Sequence, residues 1–355
     1  MKNKEFLNNI DQLSQEYELT REQTIQSFEK GLVSGCKKNY QVKSCRTEIT
    51  PEYDEIFLYK QYLVIDPNDE ETLNANEYSF LDLEEAQKLK EDAQVGDIIE
   101  IEVDPKDFNF YASKDFKNKF NEELIKQKRE TIYNFFKNYE KKLISGKVIA
   151  ENTHFYTLEL EKEINTLLSK KETLLNDNFR IGERISVFVL EVQNTTKMPK
   201  IFVSRVHVNF VVELLKEFVP EVQEGIIKIM GIARIPSDRI KIGLMSTDPK
   251  VDPIGSCIGE GGSRIKSVVN ILKGERIDLF QWSSDPIELI TNSLQPAQIL
   301  KITSINEKNK TASVVVADDQ ASLVIGKLGK NVKLAAQVTK WNINIQTLSQ
   351  QEELE

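Results

Sequence analysis

Gly259-Glu260-Gly261-Gly262 and Gly326-Lys327-Leu328-Gly329 are the two stretches whose reading decides the fold. Each follows a short apolar run, 254–258 or 323–325. Each leads into apolar residues at helical spacing: Ile265, Val268, Val269 and Leu272 after the first, Val332, Leu334, Ala335 and Val338 after the second. The pattern is helix, Gly-x-x-Gly, helix, written twice. A glycine without a Cβ takes left-handed dihedrals and lets another backbone approach closely. The helix that follows directs free N–H groups and its positive dipole end at the same point, which suits phosphate.

Gly-x-x-Gly between two helices is the element with which KH modules clamp about four nucleotides of single strand. One copy is weak evidence; the flanks of the two copies match. Before the first loop, 226–232 and 239–244 alternate like a strand pair around Pro236-Ser237-Asp238. Before the second, 299–305 and 312–316 do so around Asn306-Glu307-Lys308-Asn309. A further strand follows each helix, at 277–282 and 341–345. The order helix-strand-strand-helix-GxxG-helix-strand thus occurs twice, an internal repeat of a small α/β unit. The RNA contacts it predicts are Gly259, Glu260, Gly261, Gly262, Ser263, Arg264 and Lys266, then Gly326, Lys327, Leu328, Gly329, Lys330 and Asn331. Only residues 283–286 separate the two units, a linker that permits little independent rotation.

A chain of 355 residues predicts two to four domains. Three cysteines (Cys36, Cys45, Cys257) with no close pairing, and two histidines, exclude a disulfide scaffold and a zinc cluster, and no cofactor is expected. No apolar run approaches the roughly 18 residues of a spanning helix, and the polar start is no signal peptide. The expectation is a soluble cytoplasmic monomer. The net charge of −9 hides a division: residues 225–346 hold 16 Lys and Arg against 11 Asp and Glu, the rest 31 against 45. The repeat is mildly basic, as a phosphate-binding region needs, and the remainder reads as a protein-binding surface.

In chain order, 4–17 is helical, and Thr20 with Gln23 is a capping box opening a helix that buries Ile25, Phe28 and Leu32. Strands are predicted at 46–49, 55–59 and 62–65, with a turn at Asp66-Pro67-Asn68-Asp69. Asp82 with Glu85 predicts a second reciprocal cap, on a helix over 83–89. A strand over 99–103 ends at Pro105. From 114 to 143 one helical stripe runs through Phe116, Phe120, Leu124, Ile132, Phe136, Tyr139 and Leu143, a strut roughly 45 Å long that Ser145-Gly146 breaks. Five short strands follow, 147–150, 155–160, 164–168, 184–192 and 200–204, as in a small OB barrel. Such barrels stack bases on aromatic faces, for which His154, Phe155 and Tyr156 are the candidates.

Taken together, several runs carry a resemblance. They are Ser204-Arg205-Val206-His207, Val219-Pro220-Glu221-Val222, Asp252-Pro253-Ile254-Gly255, Gly259 to Arg264, Val268-Val269-Asn270, Gly274 to Asp278, Trp282-Ser283, Asp318-Asp319-Gln320, Ile325-Gly326 and Asn331-Val332. Gly96-Asp97, Pro105 to Phe108 and Ile132-Tyr133 add to them. Across essentially its whole length the chain resembles the NusA family of bacterial transcription elongation, termination and antitermination factors. The resemblance implies a multidomain α+β chain. It has an N-terminal α/β polymerase-binding domain with a long connector helix (1–143), an S1-type OB β-barrel (144–206) and two tandem type II KH domains (207–283 and 284–350), with a tail at 351–355. It further implies docking near the RNA exit channel of RNA polymerase, a grip on nascent single-stranded RNA, and other Nus-type factors as partners. Glu260 departs from the family pattern and sets a like charge beside phosphate. The acidic C-terminal repeats of some members are expected to be absent.

Two other classes compete. A phosphorolytic exoribonuclease also carries KH and S1 modules, but in the opposite order and behind a catalytic region; no P-loop or nucleophile–base pair is present here, so no enzyme is expected. An RNA chaperone or ribosome-assembly factor would use the same modules without polymerase. The acidic N-terminal region favours the transcription factor.

Overall fold

The computed structural model describes residues 6–50, 55–66 and 77–352. The described residues fall into two compact units, those within 1–135 and 195–199 and those within 136–194 and 200–355. The first opens with helices α1 (Phe6–Tyr17) and α2 (Arg21–Tyr40). The capping box at the start of α2 is formed: Gln23 N donates to Thr20 Oγ1 (3.2 Å) and Thr20 N to Gln23 Oε1 (3.0 Å). Strand β1 (Ser44–Thr50) pairs with β2 (Glu55–Ile65), one long strand where two were predicted. β3 (Ser79–Asp82), which no sequence signal marked, runs parallel to the end of β2, and β4 (Ile98–Glu102) covers its other side. The reciprocal cap predicted at Asp82 and Glu85 is absent on α3 (Leu83–Leu89): Asp82 stands at the N-cap in extended conformation, but its side chain makes no capping hydrogen bond. The turn predicted at Asp66-Pro67-Asn68-Asp69 lies, but for Asp66, outside the described residues.

The cysteine reading needs correction. Cys36 and Cys45 are joined as a disulfide with Cα atoms 6.6 Å apart, because the chain reverses through a left-handed Gln41 (φ 52°) and lays β1 beside α2. Helix α4 (Phe110–Lys137) begins earlier and ends sooner than predicted, at about 42 Å. Its Phe116 and Phe120 meet Phe28 edge-on at 5.4 and 5.5 Å. A Cβ on Gly31 of α2 would lie 3.0 Å from Phe120, so glycine is what lets the helices close. The stripe is packing. Ser145 and Gly146 do not break the helix but lie inside a strand; what ends it is barrel pairing, with Lys141 N donating to Val189 O (2.9 Å).

The second unit begins with that barrel: β5 (Leu143–Glu151), β6 (Phe155–Glu159), β7 (Asn165–Ser169), β8 (Arg184–Gln193) and β9 (Lys200–Ser204), in the order β7-β6-β5-β8-β9. Thr166 Oγ1 donates to Ile201 O across β7 and β9 (2.5 Å), nearly closing an S1-type OB fold. The first KH module follows as α5 (Val208–Phe218), α6 (Pro220–Gln223), β10 (Ile227–Ile235), β11 (Arg239–Ser246), α7 (Pro253–Ile258), α8 (Ser263–Ile271) and β12 (Arg276–Gln281). The second repeats it as α9 (Pro286–Ser293), β13 (Lys301–Asn306), β14 (Thr311–Val316), α10 (Ala321–Ile325), α11 (Lys330–Thr339) and β15 (Asn342–Thr347). In both, the first two strands are antiparallel and the third is parallel to the second, the type II arrangement. α12 (Leu348–Glu352) closes the described chain, so the predicted tail starts within a helix.

Buried charge joins barrel to KH module. Arg205 donates to both Asp177 oxygens (2.8 and 3.0 Å), to Ser186 O (2.6 Å) and to Ile271 O (2.7 Å), tying a barrel loop and strand to α8. Every charge there is satisfied, as burial demands. The first KH module has its own core, with Ile240, Ile242, Val268 and Leu272, and the core of the second extends into it: Ala233 and Phe280 of the first pack with Leu289, Ile290, Leu334 and Val338 of the second. At Gly231 a Cβ would lie 2.6 Å from Val338 O, which is why α11 can cross β10 there. The short linker predicts a rigid pair; the shared core supplies the stronger reason.

Candidate nucleic-acid interface

Both loops have the same backbone. Gly259 and Gly326 take φ/ψ of 75°/170° and 72°/169°, Gly261 and Leu328 take φ of 59° and 57°, and Gly262 and Gly329 take 77° and 70°. The opening glycine is required twice over. Its φ is positive, and a Cβ would meet Arg264 Cγ at 2.7 Å in the first loop or Asn331 Cβ at 2.9 Å in the second.

The side chains then diverge. Arg264 and Asn331 occupy equivalent positions and do the same job: Arg264 Nη1 donates to Ser256 O (2.8 Å), Asn331 Nδ2 to Leu323 O (3.4 Å) and Val324 O (3.1 Å). Each pins the last turn of the preceding helix. Asn331 also reaches Leu294 O (3.2 Å) and is 1% exposed, so it sets the loop rather than touching a ligand. Arg264 is held by Glu221 (2.8 and 3.1 Å), whose own carboxyl lies below the usual range, chiefly through a backbone hydrogen bond at Glu221 and then Arg264. Lys266 Nζ donates to Gly261 O (2.8 Å). Glu260 and Ser263 are exposed. The first loop therefore offers an acid outward and has its cations engaged.

The second loop offers Lys327, exposed, and Leu328, 85% exposed. An apolar residue held at positive φ costs about 1 kcal/mol or more, a strain that also occurs at functional sites. Beside this loop runs a groove of about 540 Å³, lined by Asp238, Arg239 and Arg276 of the first module and by Leu323, Lys327 and Lys330 of the second. Lys330 is ion-paired with Asp238. Sequence reading missed Asp238, which the repeat alone does not bring to the second loop.

On the barrel, Asn152 Oδ1 accepts from His154 N and Phe155 N (2.8 Å each), fixing the turn before β6. His154 is exposed and Phe155 half-buried, their rings 6.3 Å apart. Tyr156 is 4% exposed against Phe179 at 5.3 Å, and burial raises its hydroxyl pKa; it is core, not a stacking face. Phe202 on β9 is exposed instead. The alternation Ile201, Phe202, Val203 pointed to it, since its neighbours turn inward.

An OB-type barrel followed by two KH modules in one packed unit defines an RNA-binding protein of the tandem KH class. Residues 205–282 match the NusA-like first KH domain, 286–353 the NusA-like second KH domain and 5–130 the NusA N-terminal domain. The transcription termination/antitermination protein NusA of Bacillus subtilis is 36% identical over 351 residues, covering 99% of this chain and 92% of that protein. Its counterpart in Halalkalibacterium halodurans is 35% identical over 353 residues, covering 99% and 90%. That of Thermus thermophilus is 32% identical over 358 residues, covering 97% and 90%. The chain belongs to the NusA family. Among the described residues no helix is long and apolar enough to cross a membrane.

Proposed function

We propose that this chain is a transcription factor that modulates pausing, termination and antitermination in the cytoplasm. In this reading residues 1–143 bind RNA polymerase near the RNA exit channel. Residues 144–206, 207–283 and 284–350 hold nascent single-stranded RNA, and other Nus-type factors join the assembly. Membership of the NusA family supports the role, and we assign the chain no catalysis. The chaperone alternative loses its ground because the N-terminal region matches the NusA N-terminal domain.

One observation carries the RNA grip: an exposed Lys327 lines a groove that also holds Arg239 and Arg276, and next to it in the loop stands an exposed Leu328 at positive φ. Of the two loops, the second is the main phosphate site. Phosphate contact supplies most single-strand affinity, and each neutralised phosphate steepens the log–log salt dependence by about 0.7. Replacing both x positions, Lys327→Asp with Leu328→Asp, is expected to remove most binding of a fluorescent single-stranded RNA. Unchanged affinity in that variant overturns the assignment.

A further inference from the structure

We propose that Asp238 of the first KH module belongs to the RNA site of the second, where its carboxylate holds Lys330 in competition with phosphate. The inference rests on the second loop being an RNA grip. Asp238 sits in the β10–β11 turn, and that turn is firmly built. Asp238 N donates to Ile235 O (3.1 Å), Arg276 N to Asp238 O (3.0 Å) and Ser237 N to Glu275 Oε1 (2.5 Å). Glu275 is itself buried and clasped by Arg234 through two bonds of 2.9 Å. The shared core of the two modules carries this turn to the second loop, so the carboxylate is delivered by the fold rather than by a mobile arm.

Lys330 is the first residue of α11, where backbone N–H groups and the helix dipole favour an anion. Asp238 is the one acid among the described residues that line the groove, and it is spent on that lysine. A phosphate reaching Lys330 exchanges one anion for another. The cation released from the RNA phosphate is offset by one taken up at the freed Asp238 carboxylate, so Lys330 adds little to the salt dependence of the unmodified protein. The pair is about one-third exposed on each side, and pairs of that kind are worth a factor of about two to five. Docking of the first module on the second thereby sets the strength of the second module's grip.

The test titrates a fluorescent single-stranded RNA with the full chain at several salt concentrations. Asp238→Asn is expected to bind about two- to fivefold more tightly and to steepen the log–log salt slope by roughly 0.7. Lys330→Gln alone is expected to change affinity less than Asp238→Asn does. The slope gain is expected to vanish when Asp238→Asn is made in the Lys330→Gln chain. The same slope gain without Lys330 means a diffuse charge effect and overturns the proposal. An unchanged Asp238→Asn slope, while Lys327→Asp with Leu328→Asp abolishes binding, overturns the latch and leaves the loop assignment standing. Failure of the double aspartate variant to weaken binding overturns both.

Discussion

Replacing Lys241 by methionine should change how the KH pair responds to pH. Lys241 is on β11, 1% exposed, with Nζ donating to Gln295 O (3.1 Å) and 3.8 Å from Asp278. Burial lowers its pKa from 10.5 to about 8, with Asp278 pushing back upward. Between those values the unfolded chain holds more protons than the folded one, so stability rises with pH through the window and the full penalty stands below it. At 1.36 kcal/mol per unit the penalty is about 3 kcal/mol at pH 7 and falls to about 1 kcal/mol at pH 10. Methionine keeps the length and removes the charge. Its stability relative to the natural chain should therefore fall by about 2 kcal/mol from pH 7 to 10. The chain's two tryptophans, Trp282 and Trp341, both lie at the shared KH core, so urea unfolding followed by tryptophan fluorescence reads this region. Cys257, pushed up to about 11 by burial, contributes the opposite slope, but equally in both chains. Parallel pH profiles for the two proteins would refute the reasoning.

The other expectations use different readouts. Gly231→Ala forces a Cβ to 2.6 Å from Val338 O, a backbone atom that cannot swing aside, and should lower KH-pair stability by about 1–3 kcal/mol in the same unfolding assay. Leu328→Gly should relieve about 1 kcal/mol of left-handed strain while weakening RNA binding; tighter binding by that variant would show that the exposed leucine plays no part. Glu260→Lys places an uncommitted cation on the first loop and should steepen the salt slope by about 0.7, whereas an unchanged slope leaves that loop out of contact. Deleting residues 1–113 should leave RNA affinity intact and abolish effects on transcription, checked by pause lifetimes; pauses still lengthened at ordinary concentrations contradict polymerase docking.

The repeat was legible because its signals are local: positive-φ glycines, helical spacing and turn residues all act within a few positions. Thr20 with Gln23 was legible for the same reason, each partner being three residues from the other. Asp82 carries the same local signal and takes the N-cap position, yet its side chain makes no capping bond. Contacts that depend on tertiary placement stayed hidden. Cys36 meets Cys45 only because a left-handed Gln41 turns the chain, and Tyr156 is withdrawn into the barrel by Phe179. Asn331 looked like a ligand contact from its place beside a lysine, yet the carbonyls it binds come from Leu294, Leu323 and Val324.

The two loops show how a duplicated module can separate scaffold from chemistry. Backbone torsions agree within a few degrees at the opening glycine, and the residue five positions on holds the same carbonyl in each case, Arg264 on Ser256 and Asn331 on Leu323. The scaffold is therefore kept by side chains as different in length as Arg264 and Asn331, each donating back to that carbonyl. What differs is the pair between the glycines, and its consequences follow from charge and strain. Gly261 accepts left-handed φ freely and shows nothing to a ligand, next to an acid that repels phosphate. Leu328 adopts the same φ at an energetic cost, exposes its side chain, and sits next to a lysine. That asymmetry, rather than the glycine pattern the loops share, is why the second module is assigned the stronger grip.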